Sequence, residues 1–167
     1  GRPTPKWFRG FDVYGVHIKM WSDPSIPCNF KEDVHDAMRV AAVLNIPFRV
    51  WDFTEEYKKG VVDYMIREYK AGRTPNPDVM CNKHIKFGLF LKKALKEGAD
   101  FVATGHYVRL WRTTINRKHL TIDQKKSSQM SKVKSQMFVA CDKNKDQSYF
   151  LWTLSQDQLK HCLFPIG

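Results

Sequence analysis

Gly72-Arg73-Thr74-Pro75-Asn76-Pro77-Asp78-Val79-Met80-Cys81-Asn82-Lys83-His84-Ile85-Lys86-Phe87 sets the reading of the chain. Gly72 can close a preceding helix in the left-handed region. Pro75 pushes Thr74 towards extended backbone. Asn76 is a good N-cap, and Pro77 suits the first helical position, where its missing N–H is no loss. The stretch therefore predicts a helix ending at about Ala71, a stiff loop, and a new helix running to about Glu97 and closed by Gly98. Asp78 and Cys81 then share one face of its first turns. A helix start and nearby Lys83, His84 and Lys86 favour a thiolate at Cys81, and the Asp78 carboxylate can accept or shuttle a proton. The plainer alternative is a small buried cysteine beside a capping acid.

Outward from this stretch the pattern alternates. Phe11 to Trp21 reads as a buried strand, then Asn29 with Glu32 as a capping box opening a helix to about Leu44, with Val34, Ala37, Met38, Ala41 and Ala42 as its apolar stripe. Asn45 can close that helix. Phe48 to Phe53 is a second strand, a helix follows from Thr54, and Phe101 to Thr104 is a third strand. Strand, helix, strand, two helices, strand predicts an α/β fold, a parallel sheet with flanking helices. Ligands of such sheets sit beyond the carboxyl ends of the strands, where Met20–Trp21, Phe53–Thr54 and Thr104–Gly105–His106 would gather.

Arg112 to Gln136 carries seven Lys or Arg and one Asp and reads as a flexible basic insertion, either a solvated loop or an RNA contact. Met137 to Cys141 reads as a short strand, and Ser148 to Thr153 as a helical turn with exposed aromatics. Ser155 with Gln158 repeats the capping-box pattern before a last helix holding Leu159, Cys162 and Leu163.

The 167 residues suffice for one domain with a real core, and the formal net charge of +11 suits a polyanionic partner. Cys28, Cys81, Cys141 and Cys162 lack close-paired spacing, which argues against a zinc ribbon or a disulfide framework; no metal ligands are singled out. No apolar run is long enough for a membrane span, and no secretory signal is visible, so no membrane partner is expected.

The signature stretch resembles that of the tRNA-specific 2-thiouridylases, ATP-pyrophosphatases of the PP-loop class. So do Gly98-Ala99-Asp100-Phe101-Val102-Ala103-Thr104-Gly105-His106-Tyr107-Val108-Arg109 and Asn144-Lys145-Asp146-Gln147-Ser148-Tyr149-Phe150-Leu151. The resemblance runs from about Gly10 to Gly167. It implies a Rossmann-like, adenine nucleotide alpha hydrolase-like domain over 10–111, incomplete at the N-terminus, after an unmatched basic segment 1–9. The basic insertion 112–136 and a tRNA-contact region 137–167 follow.

The resemblance also implies roles. Cys81 would be the nucleophile and Asp78 the acid/base. Asn76, Pro77 and Asp78 would meet the target base, and Lys145, Asp146 and Gln147 would touch tRNA. Gly105 and Ile18 would contact ATP, Ile18 standing where the family usually has methionine. The activity would be ATP-dependent adenylation and thiolation of C2 of the wobble uridine, with ATP and magnesium as cofactors. tRNA and a persulfide sulfur donor protein would be the partners, and a transient disulfide at Cys81 part of the cycle. The family's Ser-Gly-Gly-x-Asp-Ser loop does not occur in this chain, and a second catalytic cysteine is expected beyond Gly167. The chain reads as the middle of a longer enzyme, inactive by itself. Its basic character and longer insertion resemble the family's mitochondrial members more than its bacterial ones, which implies the mitochondrion, otherwise the cytoplasm. Two alternatives stand beside this: a non-catalytic tRNA-binding remnant, and another PP-loop enzyme adenylating a small substrate, which would not need Cys81.

Overall fold

The structure is a computed structural model that describes residues 10–23, 25, 29–115 and 132–167. Segment 1–9, Cys28 and residues 116–131 of the predicted insertion lie outside the described residues. The chain divides into two compact units, Gly1–Pro75 and Asn76–Gly167.

In the first unit, β1 (Gly15–Lys19) pairs in parallel with β2 (Phe48–Asp52), with Ile18 opposite Trp51 and Lys19 opposite Asp52. The helix α1 (Phe30–Val43) connects them. Asn29 does stand at its N-cap, but with φ −82° and ψ 19° and no side-chain cap bond. The predicted capping box is therefore not formed, because that bond needs an extended cap residue. The other end follows the sequence: Asn45 turns the chain at φ 54° and its N–H reaches the Ala42 carbonyl. Of the expected apolar stripe only Ala41 is buried; Met38 is 49% exposed. From Thr54 to Lys70 the helix is continuous, as α2 (Thr54–Tyr57), a π-helical segment (Lys58–Val62) and α3 (Asp63–Lys70). Gly72 then adopts φ 72°, as a helix-closing glycine does.

The second unit begins with α4 (Pro77–Met80), continues through a ten-residue π-helical segment (Cys81–Phe90) and ends as α5 (Leu91–Lys96), with Gly98 at φ 91°. β3 (Val102–Ala103) pairs in parallel with β6 (Cys162–Leu163). β4 (Val108–Ile115) and β5 (Lys132–Val139) form an antiparallel ribbon between them in sequence. This corrects the predicted insertion at both ends: residues 112–115 and 132–136 are paired strand. The last helix, α6 (Gln156–Leu159), is short and carries the predicted capping box; Cys162 lies beyond it in β6, not on the helix.

The core of this unit is Phe87, Val108, Leu151, Leu154, Leu159 and Cys162, with Leu110, Met137 and Phe164 packed against it. Arg112 belongs to this packing. Its guanidinium donates to the carbonyls of Leu159 and Cys162 and lies over the Phe101 ring. The fold is thus α/β, with parallel strand pairs and flanking helices, plus one antiparallel ribbon. No helix among the described residues is long and apolar enough to cross a membrane.

Candidate functional site

The signature loop does what its residues dictate. Asn76 sits in extended backbone, φ −117° and ψ 93°, and its Oδ1 accepts the Val79 N–H at 3.1 Å. Pro77 occupies the first turn. Val79 is buried and anchors the turn, which leaves Asn76 and Asp78 exposed and Pro77 half-buried. Cys81 begins the next turn and is 7% exposed.

Burial decides the state of that thiol. Removal from water pushes the Cys81 pKa up; the Asp78 carboxylate pushes the same way, and Lys86 only partly opposes them. The thiolate expected from the helix start is not the resting form here. The desolvation of an anion outweighs a helix-end term of about 0.3–1 kcal/mol.

Beside Cys81 lies a polar relay that sequence reading did not assemble. Thr104 Oγ1 is 2.8 Å from His106 Nδ1, and His106 Nε2 is 3.2 Å from Asn82 Oδ1. Asn82 Nδ2 donates to the Phe150 carbonyl at 3.5 Å. Both Asn82 and His106 are buried. A carbonyl can only accept, so the Asn82 amide must turn its NH2 to Phe150 and its oxygen to His106. His106 is then the Nε2–H tautomer, and its Nδ1 accepts from the Thr104 hydroxyl. Burial, helped by Lys86, pulls the His106 pKa down to about 4, so the ring is neutral near pH 7. Phe87 and Phe164 flank it, at centroid distances of 5.5 and 6.1 Å. The relay ties the Cys81 helix to the end of β3 and to the turn at Phe150. The available signals were an asparagine directly after the cysteine and the Gly105-His106 pair, neither specific alone.

Lys145, Asp146 and Gln147 come together in one turn but are used differently. Asp146 accepts from the Ala140 N–H and the Ser148 hydroxyl, at 2.8 and 2.7 Å, and the Ser148 bond leads in holding its pKa below the usual carboxylate range. Gln147 exchanges two bonds with Tyr107: its N–H donates to the Tyr107 carbonyl at 2.9 Å and its Oε1 accepts the Tyr107 N–H at 3.0 Å. Only Lys145 is exposed, its ammonium 5.3 Å from the centre of the Tyr107 ring.

Gly105 is exposed, and a Cβ placed there would meet nothing nearer than Ile166 Cδ1 at 3.8 Å. Ile18 is half-buried in β1 of the other unit, next to the Lys19–Asp52 ion pair at 2.7 Å. That lysine bond, together with Thr54, lowers the Asp52 pKa to about 2. Cys81, Cys141 and Cys162 are free thiols, and no disulfide forms among the described residues.

Residues 8–167 match the family described as tRNA methyl transferase HUP domain. The chain belongs to that family, an α/β class of parallel strands and flanking helices. Among curated relatives it is 47% identical over 163 residues to the tRNA-specific 2-thiouridylase MnmA of Flavobacterium johnsoniae, covering 95% of this chain and 38% of the relative. It is 45% identical over 161 residues to the protein of the same description in Levilactobacillus brevis, again covering 95% and 38%. The Staphylococcus epidermidis protein so described is likewise 45% identical over 161 residues, 95% of this chain and 39% of its own length. The chain thus spans about two fifths of the length of the relatives it matches.

Proposed function

We propose that this chain is part of an ATP-dependent tRNA-uridine 2-sulfurtransferase acting on C2 of the wobble uridine. The observation that carries the reading is the capped loop at 76–81. Asn76 and Asp78 stand exposed on a stiff, proline-fixed turn, with the Cys81 thiol one turn further in. The family membership and the 2-thiouridylase descriptions of the relatives support the same substrate.

In this reading Asn76 and Pro77 hold the uridine and Asp78 moves its proton, while Lys145 binds the tRNA backbone. Asp146 and Gln147 act through the turn that presents Lys145. Gly105, by its bare backbone, and Ile18, by its apolar side chain, are each assigned a nucleotide contact on the family resemblance. ATP, when bound, supplies the adenylate that makes the uridine C2 oxygen a leaving group; magnesium accompanies it, with no ligand residue assigned here. Sulfur arrives as the terminal atom of a persulfide loaded by a donor protein. That sulfur would bond to C2 as AMP leaves with the C2 oxygen, and Cys81 would then attack the carrier sulfur, forming a disulfide as the S–S bond breaks and leaving sulfur on C2. Burial keeps Cys81 protonated until substrate enters.

The test is 2-thiouridine formation by the full-length protein with tRNA, ATP and a persulfide source. Cys81→Ser should abolish the product and leave tRNA affinity within about twofold of wild type. Product formed by that variant would sink the assignment and favour a PP-loop enzyme that adenylates another substrate.

A further inference from the structure

The ribbon of β4 and β5 has two unlike faces. Alternation sends Val108, Leu110 and Arg112 to one side, opposite Val139, Met137 and Ser135. On that side Val108 and Ser135 are buried, and Leu110 and Met137 join the core. The other side presents Arg109 opposite Phe138, Trp111 opposite Gln136 and Thr113 opposite Lys134, all six exposed. Trp111 is 66% exposed and Phe138 47%. Neither strand, VRLWRTTI or KVKSQMFV, contains a carboxylate. Arg109 is held along the ribbon by its Nε–H, which donates to the Val139 carbonyl at 2.9 Å.

Tyr107 stands just before the ribbon, where the chain turns so that the Val108 N–H donates to the His106 carbonyl, and Lys145 lies over its ring. From Arg109 to Thr113 the strip is about 14 Å long at the usual rise of an antiparallel strand. Aromatic rings and cations alternate along it, which is the composition of a surface that stacks bases and neutralises phosphates.

We infer that the outer face of this ribbon, from Tyr107 and Lys145 to Lys134, is an RNA-binding surface that takes unpaired nucleotides. Bases stack on Trp111 and Phe138, and phosphates meet Arg109, Lys134 and Lys145. The inference rests on the tRNA reading above and adds a surface outside the 76–81 loop. A protein packing on Trp111 and Phe138 would have to desolvate Arg109 and Lys134 beside them and supply carboxylates to match. Every nucleotide of an unpaired RNA brings both a ring and an anion.

The test uses the full-length protein and tRNA, with affinity measured across salt concentrations. Trp111→Ala with Phe138→Ala should weaken binding at least tenfold and leave the salt slope unchanged. Arg109→Gln with Lys134→Gln should flatten the slope of log affinity against log salt by about 1.4, two single-strand phosphate contacts. Trp111→Phe should restore most of the affinity lost in Trp111→Ala. All four side chains are exposed, so circular dichroism melts should match wild type. Ultraviolet cross-linking should attach tRNA to the peptides holding Trp111 or Phe138. Wild-type affinity and slope in both double variants would overturn the surface, and a loss of self-association without a change in tRNA binding would overturn it in favour of a protein interface. Ribbon-dependent tRNA binding in a protein that forms no 2-thiouridine would uphold the surface and sink the reaction.

Discussion

His106 should make the protein lose stability on mild acidification, and the amount follows from its surroundings. The ring is 8% exposed, packed by Phe87 and Phe164, with Asn82 and Thr104 on its two nitrogens. Its pKa falls from 6.5 to about 4 on folding, first through burial and then through Lys86. A histidine with a lowered folded pKa binds its proton more readily in the unfolded chain. Its stabilising contribution is therefore complete above pH 6.5, shrinks as the pH falls, and is gone below about 4. At 1.36 kcal/mol per pH unit the loss has a ceiling of roughly 3 kcal/mol, a large part of a small domain's stability.

The assay is urea unfolding of wild type and His106→Gln at steps from pH 7 to pH 4. Carboxylates such as Asp146 also contribute in acid, so the readout is the difference between the two proteins. Wild type should lose about 2–3 kcal/mol more than the variant across that range. An NMR titration of the His106 ring carbon-bound protons should place its midpoint well below 6. A midpoint at or above 6, or parallel pH profiles for the two proteins, would refute the burial argument and the neutral tautomer with it.

The cysteines give an ordered prediction. Cys141 is exposed, Cys81 is buried with a raised pKa, and Cys162 is fully buried with its thiol pushed up to about 12, so iodoacetamide should label them in that order by mass spectrometry; Cys81 reacting as fast as Cys141 would contradict the shielding. Gly88→Ala should destabilise by 1 kcal/mol or more in thermal or urea unfolding, although alanine is the better helix former, because its Cβ would stand 2.8 Å from the Lys83 carbonyl oxygen; a stabilised variant would show that the π-helical turn relaxes at little cost.

What the sequence made legible was local backbone chemistry. The Asn76 cap, Pro77 in the first turn, the left-handed Asn45, Gly72 and Gly98, and the Ser155–Gln158 box each rest on a residue with few conformational options. Residues whose role depends on distant partners were not legible. Of the ribbon only the end of β5, from Met137, is marked in the sequence, because Arg112 and Ser135 on the inward face break the apolar alternation that marks a half-buried strand. Arg112 is tolerated there because carbonyls of Leu159 and Cys162, some fifty residues on, accept its protons. β6, two residues long, has too little pattern to be read without its partner β3.

The same distinction runs through the candidate site. Sequence reasoning placed Cys81 at a helix start and stopped at the charges near it in the chain. The dominant influence on its thiol is the burial imposed by the fold, which no spacing encodes. For Lys145, Asp146 and Gln147 the structure divides a triplet that the resemblance treats alike. Two side chains are consumed in fixing the turn, and the third, Lys145, is left exposed over the Tyr107 ring. On the proposed tRNA reading, removing the Asp146 or Gln147 side chain should disturb binding through the position of Lys145, whereas Lys145→Gln should remove the contact charge itself. Only the latter should lower the salt dependence of tRNA affinity by about one phosphate contact while leaving the unfolding midpoint where it was.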